Sequence, residues 1–192
     1  MARKYLKGFS GLRIFPITSN TEEEYIVGEM VKVPSAQTLS KEEQTNEEDI
    51  LADDGIWDTD SDVTGENVTI TLAELSNELR AQLRGGNYDE ETKTYSFSKG
   101  DVAPELACAY RGLLADGTYR MFKQYRFKVS TVKMDLQTKG NSKQSVEITG
   151  KFLERACDGK FYDIKDTEAG NADLTWLDTI EKVPADDLEE ST

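Results

Sequence analysis

Apolar and polar residues alternate along much of the chain with a period of two, which is typical of half-buried β-strands. The clearest alternation covers residues 119–130, where aromatic and aliphatic side chains occupy one face and basic or polar side chains the other. Similar patterns or short apolar runs bounded by turn residues predict further strands. The predicted strands cover residues 13–18, 25–33, 68–72, 94–97, 106–114, 119–130, 146–152 and 161–166.

One segment follows helical spacing instead. Leu72, Leu75, Leu79 and Leu83 recur along one side of residues 74–84, and Gly85-Gly86 supplies a stop signal. A shorter helix is predicted around Trp176, at residues 172–180. Eight strands and one clear helix predict a mostly-β fold, a sandwich or barrel with one flanking α-helix. We expect a single domain over residues 1–183 and a frayed acidic tail over 184–192.

Residues 37–62 break the pattern, because they are strongly polar and have almost no apolar face. The stretches on either side of Asn46 read as two arms of a hairpin over residues 37–52, followed by a long loop over 53–65. An isolated polar hairpin is marginal in water. It becomes stable if neighbouring copies pair with it edge to edge and close a barrel whose interior is wet. The ribbon therefore predicts self-assembly.

The formal net charge of −14 is unevenly distributed. Residues 39–66 carry a net −10 and residues 161–192 a net −8, whereas residues 119–160 carry a net +6. This balance argues against a nucleic-acid binder, which needs a basic surface. Unlike charge blocks on identical subunits favour head-to-tail association.

The residues available for chemistry exclude most catalytic sites. The chain has no histidine and two cysteines, so it has no Ser-His or Cys-His pair and no common zinc site. We therefore expect a protein that is not an enzyme and needs no cofactor. A hydrolase built on paired carboxylates is a remaining alternative, although no two acids stand out. No apolar stretch is long enough for a membrane helix, and the basic N-terminus lacks the apolar segment of a signal peptide.

The alternating acids Asp58, Asp60 and Asp62 give a second alternative. They match the start of a calcium loop, but an EF-hand needs Gly at the position of Val63 and Glu at the position of Thr69. A looser calcium site, in a calcium-dependent or surface-binding β-sandwich module, stays open.

The order of several short motifs resembles the major tail-tube proteins of long-tailed, siphovirus-type phages of Gram-positive hosts. The resemblance covers about residues 10–183, and only the order of the motifs is specific. The matching stretches are the arm 37–52 running into Ala52-Asp53-Asp54-Gly55, the strand–helix unit 68–85, Thr138-Lys139-Gly140 before Val146-Glu147-Ile148-Thr149-Gly150, and Asp158-Gly159-Lys160-Phe161-Tyr162.

This resemblance implies a β-sandwich that assembles into stacked hexameric rings, forming a virion tail tube built in the host cytoplasm. Long hairpins would form a shared barrel whose acidic lumen lets DNA pass without binding it. The implied partners are further copies of the chain, a tape-measure protein, and tail-terminator and baseplate proteins, with no membrane. The lumen-lining residues would be Glu42, Glu43, Glu47, Glu48 and Asp49. The contact elements would be an N-terminal arm 1–10, the loop 53–65 and the segment 181–192, with contact residues Lys4, Tyr5, Leu6, Ile56, Trp57, Lys182 and Val183.

Overall fold

The computed structural model describes residues 5–52, 55–135, 145–168 and 173–184, and for residues 48–52 and 55–60 it describes the backbone alone. The strands are β1 Leu6–Asn20, β2 Tyr25–Val27, β3 Val31–Lys32, β4 Ala36–Ala52, β5 Gly55–Leu72, β6 Asn87–Asp89, β7 Thr94–Ser96, β8 Glu105–Leu114, β9 Tyr119–Met134, β10 Val146–Leu153 and β11 Tyr162–Asp166. Between β5 and β6 lies the helix α1, Asn77–Arg84, and a 3-10 helix covers Thr175–Asp178.

Nine strands form one antiparallel sheet in the order β2-β1-β8-β9-β10-β5-β4. Strand β3 pairs with β1, and β11 pairs with β9 beyond the point where β10 ends. Strands β6 and β7 form a separate hairpin next to α1. The fold is mostly β and antiparallel, with one α-helix in the described part of the chain, which confirms the predicted fold class.

Strand β8 lies inside the sheet between β1 and β9, and both of its faces are buried. Leu106, Cys108 and Tyr110 belong to a first core, whereas Ala107 and Ala109 belong to a second core on the opposite face. Burial on both faces explains why β8 reads as a continuous apolar run without alternation. The predicted alternation of β9 changes phase in the middle, since the β8–β9 register shifts between Leu106 and Cys108. The additional residue of β9 at this irregularity exchanges its two faces.

Helix α1 covers the first core with Leu79 and Leu83. It begins at Asn77, three residues later than predicted, because the side chain of Ser76 caps it and accepts a 3.2 Å hydrogen bond from the Leu79 N–H. It ends before Gly85, whose φ of +80° favours glycine.

The C-terminal segment 173–184 covers the second core. Leu177 and Ile180 are buried in it, and the backbone of Val183 exchanges hydrogen bonds of 2.8 and 3.0 Å with Tyr25. Arg13 holds the segment through a 2.7 Å ion pair with Asp178. In place of the helix predicted at 172–180 there is a single 3-10 turn, Thr175–Asp178. We name residues 173–184 the clasp.

The expected hairpin turn at Asn46 and the expected loop at 53–65 are wrong. Strand β4 continues through Asn46, which pairs with Asp62, and the hairpin closes after Ala52, which pairs with Gly55. Residues 55–65 therefore belong to β5. The physical reason is that Asp53-Asp54-Gly55 is a stronger turn sequence than a single asparagine between strand residues.

The expected N-terminal arm 1–10 is also wrong from Leu6 onwards. Residues 6–10 belong to β1, which pairs with β8 of the same chain from Leu6 opposite Leu114 to Ser10 opposite Arg111. The ring of Phe9 makes an edge contact with Tyr110 at 5.7 Å between centroids, so this stretch contributes to the first core. Among the described residues, no helix has the length and apolar character that crossing a bilayer requires.

Candidate functional site

The outer half of the β4–β5 hairpin leaves the sheet as a two-stranded ribbon. From Glu66 to Leu72, strand β5 pairs with β4 on one side and with β10 on the other. From Gly65 to Gly55 its only partner in the described part of the chain is β4. We name residues 44–52 and 55–65 the acidic ribbon. At about 3.3 Å per residue, it extends about 30 Å beyond the sheet.

Gly65 marks the point where the ribbon leaves the sheet. Its φ is +145°, and a Cβ built on it would lie 2.7 Å from the backbone oxygen of Phe152 in β10. The β4–β5 register shifts at the same place, between Gln44 and Thr45. A bulge of this kind bends a strand and increases its twist, so the close approach of β10 and the irregular register together set the direction of the ribbon.

The acidic ribbon and its turn contain eight acidic residues and no lysine or arginine between positions 44 and 65. The side chains of residues 45–47 and 61–64 are exposed, and that of Gln44 at the base is half-buried. Of the predicted lumen-lining residues, Glu42, Glu43 and Glu47 are exposed on β4. Glu48 and Asp49 belong to the same strand, where their backbone pairs with Asp60 and Thr59. The structure therefore brings all five onto one strand.

A polar network fixes the base of the ribbon. The Glu66 carboxylate is 5% exposed, accepts a 2.5 Å bond from Lys41 Nζ and a 3.2 Å bond from Gln124 Nε2, and so joins β4, β5 and β9. Lys41 Nζ also lies 4.7 Å above the ring of Tyr162 in β11. A buried carboxylate requires such partners, so this network holds the hairpin against the sheet where the apolar core ends.

The predicted contact residues are scattered over the fold. Tyr5 and Leu6 are 59% and 51% exposed at the start of β1, and Lys182 is exposed near the end of the clasp. Val183 is half-buried, because its backbone pairs with Tyr25 of the same chain. Ile56 and Trp57 belong to β5 near the ribbon tip, and only their backbone is described. Lys4 lies outside the described residues.

The residues of the calcium alternative lie on a strand. Asp58, Asp60 and Asp62 alternate along β5, and Asp62 is exposed. For Asp58 and Asp60 only the backbone is described. The expected loop geometry is therefore absent at these residues, and no group of three metal-binding side chains is found among the described residues.

The sequence analysis missed a row of hydroxyl groups that crosses four strands. Ser40, Thr69, Thr149 and Thr131 are consecutive cross-strand partners on β4, β5, β10 and β9. The hydroxyls of Thr131 and Thr149 are 2.5 Å apart. All four are exposed or half-buried, and Thr69 and Thr149 alternate with residues of the first core. Their alternation with core residues could have indicated the row, but only the register shows that they align.

Three solved structures are similar to the chain over most of its length, at low identity. The anti-feeding prophage cap, a tube-terminating cap, matches with a TM-score of 0.47 and 9% identity over 81% of this chain and 88% of that chain. A PVC sheath–tube complex of an extracellular contractile injection system matches with a TM-score of 0.45 and 11% identity, also over 81% and 88%. The anti-feeding prophage baseplate matches with a TM-score of 0.40 and 8% identity over 89% and 100%.

No protein-family model matches the sequence, and no curated protein is significantly similar to it. Because all three TM-scores are below 0.5, the function of this chain is argued from its own residues.

Proposed function

We propose that the protein is a structural subunit of a phage-type tail tube, which assembles into stacked rings around a lumen through which DNA passes. The observation that carries the proposal is the acidic ribbon. It has two outer edges, one on β4 and one on residues 55–65 of β5, and neither edge has a partner strand in the described part of the chain. Unpaired edges are templates for pairing with another chain.

Pairing of the outer β4 edge of one copy with a free strand edge of the next copy satisfies backbone groups of both chains. Repeated around a ring, this contact is head-to-tail and closes when the rotation returns to the first copy. A closed barrel has no free edge, which explains how a polar ribbon of about 30 Å becomes stable without an apolar face.

The width of the lumen depends on how many strands each copy contributes. Adjacent strands are about 4.8 Å apart and tilt by about 40° in a barrel, so six copies with two strands each give a barrel about 24 Å across. Side chains projecting about 5 Å from each wall leave about 14 Å. The two grooves of a DNA duplex are about 8.5 and 7.5 Å deep, so the duplex is more than about 16 Å across and does not fit.

Four strands per copy double the barrel to about 48 Å and leave a lumen of about 38 Å. The sheet supplies two additional neighbouring strands, β10 and β9, and the hydroxyl row runs across all four. We therefore assign the lumenal wall to β4, β5, β10 and β9, with the acidic ribbon projecting from it. Neighbouring copies then meet between the outer edge of β4 and residues 129–134 of β9, which have no partner on their second edge in the described part of the chain.

The chemistry of this wall suits passage rather than binding. Exposed carboxylates on β4 repel phosphates, and hydroxyl groups bind water without carrying charge. In this proposal the tape-measure protein occupies the lumen before DNA, and terminator and baseplate proteins close the two ends. The virion tail is the site of action, and assembly takes place in the host cytoplasm.

The proposal is tested by electron microscopy of the concentrated purified protein. We expect hollow tubes or stacked rings, and a monomer at every concentration, with and without a tail initiator complex, would contradict the proposal. A variant in which residues 45–64 are replaced by Asn-Gly tests the ribbon itself. It keeps the Lys41–Glu66 contact, so we expect a folded monomer that does not assemble.

A matched control changes charge without removing the edges. Replacing Glu42, Glu43 and Glu47 by glutamine leaves the backbone pairing intact, so we expect tubes of normal diameter with increased retention of DNA fragments. Loss of folding in the shortened variant would show that the ribbon stabilises a single subunit, which would contradict its proposed role between copies.

A further inference from the structure

Helix α1 carries two arginines that lie over aromatic rings. The guanidinium carbon of Arg80 is 6.0 Å from the centroid of the Tyr95 ring, and that of Arg84 is 5.2 Å from the centroid of the Phe97 ring. Thr131 and Val132 of β9 complete a notch of about 370 Å³, which we name the arginine notch. The notch lies beside the helix, outside the acidic ribbon.

Neither arginine has an acidic partner in the part of the chain that the structure describes. Buried Nε of Arg80 also has no hydrogen-bond partner there. Four other arginines, Arg13, Arg120, Arg126 and Arg155, are paired with carboxylates at 2.6–2.7 Å, whereas Arg111 donates a hydrogen bond to the Ser10 hydroxyl. Arg80 and Arg84 are one helical turn apart, where like charges repel. The two neighbouring guanidinium groups without acidic partners indicate a site for an anion.

The Tyr95 ring and the β6–β7 hairpin that carries it are held in place. The Tyr95 hydroxyl donates a 2.8 Å hydrogen bond to the carbonyl oxygen of Gly85, and the Asn77 side chain donates one of 3.2 Å to the carbonyl oxygen of Lys93. These bonds tie the β6–β7 hairpin to both ends of α1. The notch is thus formed before a ligand arrives, which reduces the entropy cost of binding.

We propose that the arginine notch binds the carboxylates of the acidic segment 185–192 of a second copy. This segment contains Asp186, Asp187, Glu189 and Glu190 and no base, so its charge is complementary to the notch. Planar guanidinium groups bind carboxylates through two parallel hydrogen bonds, and stacking on aromatic rings leaves those N–H groups free to donate.

The end of the clasp, from which the segment continues in sequence, points to a second copy as the one that is bound. It follows the clasp, whose Val183 is paired with Tyr25 over the second core. The notch lies beside α1, which covers the first core on the opposite face of β8. The described part of the chain therefore ends, at Pro184, on the face opposite its own notch. This inference rests on the proposed self-assembly and adds a contact that the ribbon does not supply.

The first test uses full-length variants and measures the lowest concentration at which pelletable assemblies form. Replacing Arg80 and Arg84 by glutamine, or the four acids of 185–192 by their amides, should raise this concentration about tenfold, since charge-assisted hydrogen bonds are lost. Combining the two sets should add little. A matched control, Lys93→Gln with Lys99→Gln, removes two exposed charges outside the notch lining and should have no such effect.

Charge reversal gives a sharper result. Arg80→Glu with Arg84→Glu should block assembly, and lysine at the four acidic positions of 185–192 should restore it. A photo-crosslinker at position 187, in a mixture of mass-labelled and unlabelled copies, should join that position to α1 of the other copy. Crosslinks to α1 of the same copy, or charge reversal without rescue, would overturn the inference.

The outcomes separate this inference from the proposed function. Normal assembly by all variants would overturn the arginine notch alone. Failure of the unaltered protein to assemble would overturn both. Circular dichroism shows whether each variant is folded, and the glutamine variants, which change only exposed or half-buried side chains, keep the test decisive if charge reversal prevents folding.

Discussion

Substitution of Gly65 tests whether β10 approaches β5 closely at the point where the ribbon leaves the sheet. Substitution by alanine adds one methyl group at a residue whose φ is +145° and whose Cβ would lie 2.7 Å from the Phe152 oxygen. Two effects are expected, the cost of a backbone conformation that is rare for L-residues and a clash with backbone atoms of β10.

The two costs can be separated with other glycines of the same fold. The conformation alone costs about 1–3 kcal/mol for a residue with a side chain. Gly117 has a φ of +86° and nothing within 4 Å of an added Cβ, so Gly117→Ala carries only that cost. Gly8 has neither a positive φ nor a close neighbour, so Gly8→Ala should be nearly neutral. A contact of 2.7 Å forces the backbone of β5 or β10 to move, and we expect this to add about 1–3 kcal/mol.

The measurement is the free energy of unfolding from urea titrations followed by circular dichroism. With an m-value of about 2–3 kcal/mol/M, a loss of about 4 kcal/mol for Gly65→Ala lowers the midpoint by about 1.3–2 M. Gly117→Ala should lower it by about half as much. Equal midpoints for the two variants would refute the reasoning, because they would mean that β10 does not approach Gly65 closely.

Three further predictions concern the rest of the subunit. Leu177→Ala, which opens a cavity in the second core, should lower the free energy of unfolding in urea titrations by about 2–5 kcal/mol and make the clasp more sensitive to limited proteolysis, and unchanged proteolysis would contradict this. Lys41→Ala should cost about 1–3 kcal/mol in the same titrations by leaving buried Glu66 without its cation, and adding Glu66→Gln should recover part of the loss. The hydrogen bonds from Arg155 hold the pKa of Asp158 below its usual range, so this carboxylate stabilises the fold above the ordinary aspartate pKa of about 3.9 and the contribution disappears as the pH falls through the lower folded value. Asp158→Asn should therefore be destabilising at neutral pH, with a difference in melting temperature that shrinks in acid; a constant difference would contradict this assignment.

The sequence predicted elements whose cause is local. The alternation in 146–152 and the leucine spacing in 74–84 depend on one face of one element, so β10 and α1 appear where expected. The sequence Asp53-Asp54-Gly55 also indicates a turn, but the polar stretch around Asn46 favoured a hairpin turn earlier in the chain. A strand without an apolar face gives no periodicity, and its length then depends on its partner strand.

Features that depend on distant pairing could not be predicted. The free edges of the acidic ribbon follow from the end of β10 at Leu153, opposite Arg126. The hydroxyl row depends on three registers at once. The ion pair of Lys41 and Glu66 could not be predicted either, because two opposite charges separated by 25 positions give no local sequence pattern. Such pairs become visible only when the sheet brings their strands together.

The burial of β8 on both faces has a consequence for how its register is fixed. In a half-buried strand, a slip by one residue moves polar groups into the core, so polarity resists the error. Strand β8 has apolar residues at every position from Leu106 to Tyr110, and a slip there would exchange one apolar face for the other. The two faces differ in size instead, with leucine, cysteine and tyrosine towards one core and two alanines towards the other. A one-residue insertion in β8 would force the Tyr110 ring into space shaped for a methyl group. The small size of Ala107 and Ala109 thus fixes the register of β8, because the bulky side chains of the other face do not fit in their place.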